Sequence, residues 1–327
     1  MVLFVGHGGN IPVMSAPSTV QDFLKSSRCL AQVASQFKDN PIHKLTQDQG
    51  LLYVHQAEFA VTHPGDPRVQ LMGSEDATTC HIIILRHAKT RVTALAHMDS
   101  CQGLDLVMNR ATEVAQSVSR EPGVDVDLKD WDLFMVGGFE DQLGNSEVLS
   151  LNLLEDFIQS EYRFTLKLCV IGSLNTSYDP NFHPKPIFYG CAVNLTTGDV
   201  FPATFEDHGP VDILRHCRTS FNSDRSQKRP YDLYDCVSGE IRIQPFPFTY
   251  YPGLELWMKA PSQAILDNMS SSPKVEPPYF VSKLKKTIQM VVEHPNPYKS
   301  IFSGSSKPLV FSLNDCSQWV CKSSLTG

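Results

Sequence analysis

The chain has 327 residues, 42% hydrophobic and 19% charged, an ordinary globular composition. A wholly disordered chain is excluded, because such chains lack the apolar surface to offset ordering entropy, and no run of about 18 apolar residues supplies a membrane-spanning helix. Lysine and arginine number 28 against 35 acidic residues, net charge −7, without a long basic run, which speaks against a grip on nucleic-acid phosphates.

Taken in chain order, the first periodic segment is 17–36. Ser18 or Thr19 caps a helix there, with Val20, Phe23, Leu24, Leu30 and Phe37 near one face, and Asn40-Pro41 stops it. Short strands are predicted over 50–54 and 58–62, a prolyl loop over 63–67, and a third strand over 68–72. His81 to Leu85 is a continuous apolar run, the mark of a strand buried on both faces. Arg91 to His97 alternates as its hairpin partner, turning near Ala88 to Thr90. Asp132 to Val136 runs into Gly137-Gly138, a tight backbone site. Later strands are predicted over 164–171, 187–195 and 200–205, with a further hairpin around 237–240. Helices are predicted over 145–161, 210–221, 261–269 and 279–293. In the last of these, Lys283, Lys285 and Lys286 lie off the apolar stripe and read as a solvated face.

Strands dominate the middle and helices intervene irregularly, so the fold class is α+β, helices packed on a mixed or antiparallel sheet. We read residues 1–327 as a single domain, with Ser270 to Pro278 as a hinge before the final helix. Nine cysteines without a CxxC pair do not form a disulfide framework or a zinc ribbon. The start, Met1 to Gly9, lacks the basic and long apolar regions of a secretory signal. The compartment expected is the cytosol, with the nucleus as an alternative.

Chemistry concentrates at Gly73 to Leu85. Cys80 stands where a polar loop enters a buried strand, and backbone N–H groups there are placed to cradle an oxyanion beside the sulfur. A buried structural cysteine is the competing reading. A nucleophilic thiol needs a base. His81 points to the opposite face of the strand; His97 ends the partner strand and becomes a cross-strand neighbour of Cys80, with Asp99 placed to orient it. Glu75-Asp76 is either a solvated loop or an anion that captures a substrate cation.

The run Leu71-Met72-Gly73-Ser74-Glu75-Asp76-Ala77-Thr78-Thr79-Cys80-His81-Ile82 resembles the signature of the protein N-terminal asparagine amidohydrolase family. Further blocks are similar too: Gly50 to Val54, Val136 to Phe139, Tyr189 to Asn194, Ser271 to Pro273, and Glu276 to Val281. The resemblance implies an enzyme that converts asparagine at the start of a protein to aspartate, releasing ammonia and preparing the product for arginylation and degradation. It implies Cys80 as nucleophile, His97 as its partner, and a three-layer αββ sandwich like that of chemoreceptor glutamine deamidases and cytotoxic-necrotizing-factor toxins. The expected mechanism uses the backbone N–H groups of Thr79 and Cys80 for the oxyanion and no metal or organic cofactor. Glu75 or Asp76 meets the substrate's free amine, and Ser74 lines the pocket or orients the histidine. The partners expected are proteins or peptides with a free N-terminal asparagine, not nucleic acid or membranes. Met98 and the segment His7-Gly8-Gly9-Asn10 depart from the family pattern, and no role is transferred to them. The alternatives are a deamidase of internal Gln or Asn side chains, a non-catalytic adaptor for protein N-termini, and a cysteine protease.

Overall fold

The structure is a computed structural model; it describes residues 3–5, 11–26, 28–119, 127–222, 228–304 and 306–322. The segment His7 to Asn10 lies outside the described residues. In chain order come β1 (Leu3–Val5), β2 (Ile11–Val13), α1 (Val20–Ser26), α2 (Arg28–Asp39), β3 (His43–Leu45), β4 (Leu51–Tyr53), β5 (Glu58–Thr62) and β6 (Leu71–Ser74). Next are β7 (His81–His87), β8 (Thr93–Met98), α3 (Leu104–Val118), β9 (Asp130–Gly137), α4 (Asn145–Gln159) and β10 (Arg163–Val170). There follow β11 (Thr176–Tyr178), β12 (Pro184–Pro186), β13 (Cys191–Asn194), β14 (Val200–Phe205), α5 (Asp212–Ser220), β15 (Tyr231–Asp232), β16 (Tyr234–Asp235) and β17 (Glu240–Ile243). The last are α6 (Ser262–Met269), α7 (Phe280–Glu293), α8 (Pro297–Ser300), β18 (Leu309–Leu313) and β19 (Trp319–Cys321).

An eight-stranded mixed sheet, ordered β15-β5-β8-β7-β9-β10-β1-β2, forms the centre. Its middle strand β7 is buried along its whole length and is apolar from Ile82 to Leu85, as a strand covered on both faces requires. A five-stranded sheet, β3-β14-β13-β6-β4, packs on one face. The two sheets are joined by Ser74 to His97 and by Arg86, whose guanidinium reaches the Leu195 carbonyl at 2.9 Å. The other face is covered by helices. His81 on β7 meets Ser150 on α4 at 2.7 Å, and α3 packs along β5 and β8. Alternation along β7 thus sends His81 to the helices and its neighbour Ile82 to the second sheet. The fold is α+β, as the irregular interspersion of helices indicates, and helix, sheet and sheet form successive layers.

Several elements differ from the sequence reading. The helix predicted over 17–36 is two helices, α1 and α2. Helix α3, for which the sequence reading has no counterpart, follows the left-handed Gly103 and buries Leu104, Val107, Met108, Ala111, Val114 and Ala115. The hairpin at 237–240 is present, but its sheet continues into the C-terminal strands β18 and β19. The β7–β8 register also differs. Ile82, not Cys80, lies opposite His97. The turn is longer by its far side: Arg91 takes a positive φ of 61°, and Thr90 closes onto His87 through its backbone N–H and its hydroxyl. This shifts the pairing by two residues and preserves which face each side chain points to.

Candidate active site

The loop Glu75–Cys80 links β6 of one sheet to β7 of the other. Asp76 turns it with a φ of 66°, and the Ala77 N–H donates to the Tyr189 carbonyl at 2.9 Å. The Cys80 carbonyl accepts from the Gly138 N–H at 2.8 Å, which carries the β7–β9 ladder one residue past His81. Gly137 is required beside it, since a Cβ there would stand 2.5 Å from the Cys80 carbonyl oxygen, and its φ is 125°. Gly190 plays the same part under the loop, with its missing Cβ only 2.8 Å from the Ser74 carbonyl oxygen. The backbone around Cys80 is therefore fixed on both sides. Cys80 is 8% exposed and lines a cavity of about 1090 Å³.

His97 is fully buried. Because residues two apart in a strand share a face, it lies on the Cys80 side of the sheet, one pleat along. Its Nδ1 lies 2.8 Å from Ser74 Oγ, and its Nε2 has no hydrogen-bond partner among the described residues. Burial pulls its pKa down to about 3, so the ring is neutral at physiological pH. One nitrogen of this neutral ring is fixed and the other unsatisfied, an arrangement open to proton transfer at Nε2. Ser74 is fully buried and is held against His97 rather than lining the cavity. Asp99 lines the cavity and accepts from the Gln56 amide at 2.9 Å; Ser74, not Asp99, is the group at His97 Nδ1.

The acidic pair of the loop enters an ionic cluster. Glu75 accepts from His208 Nε2 at 2.7 Å and from the Phe205 N–H at 3.2 Å. Asp76 accepts from the Tyr279 hydroxyl and lies 3.8 Å from Lys283 Nζ. Lys283 also lies 3.5 Å from Asp212, which stands 3.1 Å from His55 Nε2. Lys283 is thus inside the cluster, not on the solvated face predicted for it. Burial raises a carboxyl, but the His208 and His55 rings and Lys283 outweigh it and hold Asp212 well below the usual carboxylate range. Behind the cluster, the buried Glu58 is paired with Arg215 at 2.7 Å and with Arg218. Arg215 donates on to the Tyr53 carbonyl at 2.8 Å and the His208 carbonyl at 2.7 Å, so it fixes the wall on which Tyr53 and His208 stand.

Burial lowers the pKa of His208, and its contacts with Asp212 and Glu75 outweigh that and raise it to about 9. A histidine raised above its unfolded value, about 6.5, contributes stability that is full below about pH 6.5 and lost as pH rises through about 9. Denaturation midpoints of the wild type are expected to fall across that window, and those of His208→Ala to stay flatter. Parallel curves for the two proteins remove His208 from the cluster's ionic balance.

Ser270 to Pro278, predicted as a hinge, and Tyr279 after it lie along the cavity mouth. Ser271 Oγ is 3.3 Å from Thr79 Oγ1, and the Tyr189 hydroxyl donates to the Val275 carbonyl at 2.9 Å. Ser270, Glu276 and Tyr279 line the cavity with Glu75, Asp76, Thr79 and Cys80. The structure thus brings the predicted Glu75, Asp76, Thr79 and Cys80 to one cavity, with Ser74 and His97 buried between the sheets. Sequence reasoning missed His55, His208, Asp212 and Lys283. Each reaches the loop only through long-range packing, and no local pattern marks them. Tyr279 and Glu276 stand in one of the quoted family blocks, which was their one available signal.

The model of the family described as protein N-terminal asparagine amidohydrolase matches residues 42–321. A human protein of that name is 32% identical over 309 residues, covering 93% of this chain and 94% of its own. A mouse protein of the same name is 33% identical over 271 residues, covering 83% and 84%. An Arabidopsis thaliana protein, again so named, is 29% identical over 307 residues, covering 87% and 85%.

Proposed function

The chain belongs to the protein N-terminal asparagine amidohydrolase family, and from that premise we propose that it hydrolyses the side-chain amide of an N-terminal asparagine through Cys80 and His97. It is an amidohydrolase, and its product is N-terminal aspartate with ammonia. The observation that carries the Cys–His reading is the buried, neutral His97, with Nε2 unsatisfied, on the sheet face of a cysteine that opens to a cavity.

In the tautomer this mechanism uses, His97 Nδ1–H donates a hydrogen bond to Ser74 Oγ, 2.8 Å away, which leaves Nε2 as the acceptor. Nε2 takes the thiol proton as sulfur bonds to the amide carbon. The oxyanion is received by the backbone N–H groups of Thr79 and Cys80. That of Thr79 makes no hydrogen bond among the described residues. Collapse of the intermediate breaks the carbon–nitrogen bond, and His97 returns the proton to the leaving ammonia. Water, deprotonated by His97, then cleaves the thioester. Glu75 and Asp76 give the wall the negative charge that draws a cationic N-terminus. Ser74 acts as a positioning residue for the ring. The helix–sheet–sheet layering and the Cys–His pair at a loop-to-strand junction support an architecture of the Cys–His deamidase kind. We read the product as a substrate for arginyl transfer and degradation, in cytosol or nucleus.

The test compares an Asn-initiated peptide with its N-acetylated copy, by ammonia release and intact mass. Turnover of the free peptide alone, without chain cleavage, is expected. Equal turnover of both peptides points instead to a deamidase of internal side chains, and binding without turnover to an adaptor.

A further inference from the structure

We propose that Glu276 is the carboxylate that seats the substrate's α-ammonium group; this rests on the cavity being the site of N-terminal asparagine hydrolysis. Two of the other three acids of the cavity already face cationic groups, and the third is held by an amide. Glu75 holds His208 and the Phe205 N–H, Asp76 holds Tyr279 and faces Lys283, and Asp99 accepts from Gln56. Glu276 lines the same cavity and accepts from the Ser270 hydroxyl, and no cation pairs with it among the described residues. Burial, with the charge of Asp76 added and the Ser270 bond opposing, pushes its carboxyl up to about 7. Such a site lacks a positive charge, and an ammonium ion supplies one.

Its position suits the task. The segment carrying Glu276 is fastened to the nucleophile loop on either side of it, by Ser271 to Thr79 and by Tyr279 to Asp76. Between them, the Val275 carbonyl is held by Tyr189, whose own carbonyl holds Ala77. In asparagine the ammonium nitrogen is only three bonds from the amide carbon, so its partner must stand close to the sulfur. On this assignment the braced frame sets the separation between sulfur and carboxylate to which asparagine is fitted. Glutamine, one methylene longer, carries its amide carbon off the sulfur when its ammonium is seated, and this discriminates where hydrophobic fit to one methylene gives only about 1–3 kcal/mol.

The test uses the full chain and two peptides, one Asn-initiated and one identical but lacking the α-amine. In the wild type, kcat/KM favours the amine-bearing peptide, and Glu276→Gln is expected to reduce that ratio by roughly 10- to 100-fold, as loss of a charge-assisted contact does. Glu276→Asp, which keeps the charge on a shorter arm, is expected to keep an intermediate ratio. A ratio within one sample is independent of the fraction folded. A wild-type ratio retained in Glu276→Gln overturns the assignment alone. A wild type indifferent to the amine overturns the reading of the site itself, and the assignment with it.

Discussion

Replacing Cys80 with alanine is expected to end ammonia release from an Asn-initiated peptide, lowering kcat/KM by on the order of 10⁴-fold or more. The magnitude follows from the route. Without the sulfur there is no thioester, and water must attack the amide directly, with only the oxyanion donors and binding left to help. Cys101 is the natural control because it lines the same cavity. Burial, with Asp156 adding to it, pushes the Cys101 thiol above its ordinary value, which disfavours its thiolate. Cys101→Ala is therefore expected to keep its turnover. A chain that works without Cys80 and fails without Cys101 refutes the mechanism while leaving the family assignment in place. Intact mass also catches the acyl-enzyme on Cys80 if hydrolysis of the thioester is slow.

Replacing His97 with alanine is expected to lower kcat/KM by roughly 10²–10⁴-fold, the range for a general acid–base. Since burial holds the His97 ring at about 3, its resting imidazole is neutral and can take a proton from the sulfur. The proton therefore moves as the sulfur attacks. Alkylation separates this from a packing effect. With an uncharged haloacetamide, Cys80 in the wild type is expected to react faster at neutral pH than an unassisted thiol. In His97→Ala the rate should follow simple thiol ionisation, rising with pH. Identical alkylation profiles in the two proteins would show that His97 does not serve the sulfur.

The sequence carried the centre of this fold plainly. The unbroken run from His81 to Leu85 has one sensible place, the middle of a sheet covered on both faces, and β7 is there. Gly137-Gly138 announces a close backbone approach, and the group approached is the Cys80 carbonyl. The hairpin β7–β8 was legible as a pairing but not in its register, because one left-handed residue in the turn, Arg91, slides the pairing without changing the alternation that reveals it. Helix α3 went unread although Leu104, Val107, Met108, Ala111, Val114 and Ala115 recur at helical spacing, with Asp105, Asn109, Arg110 and Glu113 off that stripe. In the site, the acidic pair and the cysteine share one loop and could be read together. His208 and Asp212 share a turn with each other but lie 133 residues from their partner Glu75 in the one bond and further from His55 in the other. No periodicity spans such a gap. The lysines of α7 show the converse: Lys283 looks like a solvated residue locally and becomes a structural cation only against Asp76 and Asp212.

Thr79 and Ser271, which meet across the cavity mouth, are separated by 192 residues. During translation at about 5–20 residues per second, roughly 10–40 seconds pass between the emergence of one and of the other. Throughout that interval the sulfur-bearing junction has no roof, and the carboxylate assigned to the substrate amine has not been made. A nascent chain that ends before Ser271 therefore lacks both, whatever the state of its β7 strand.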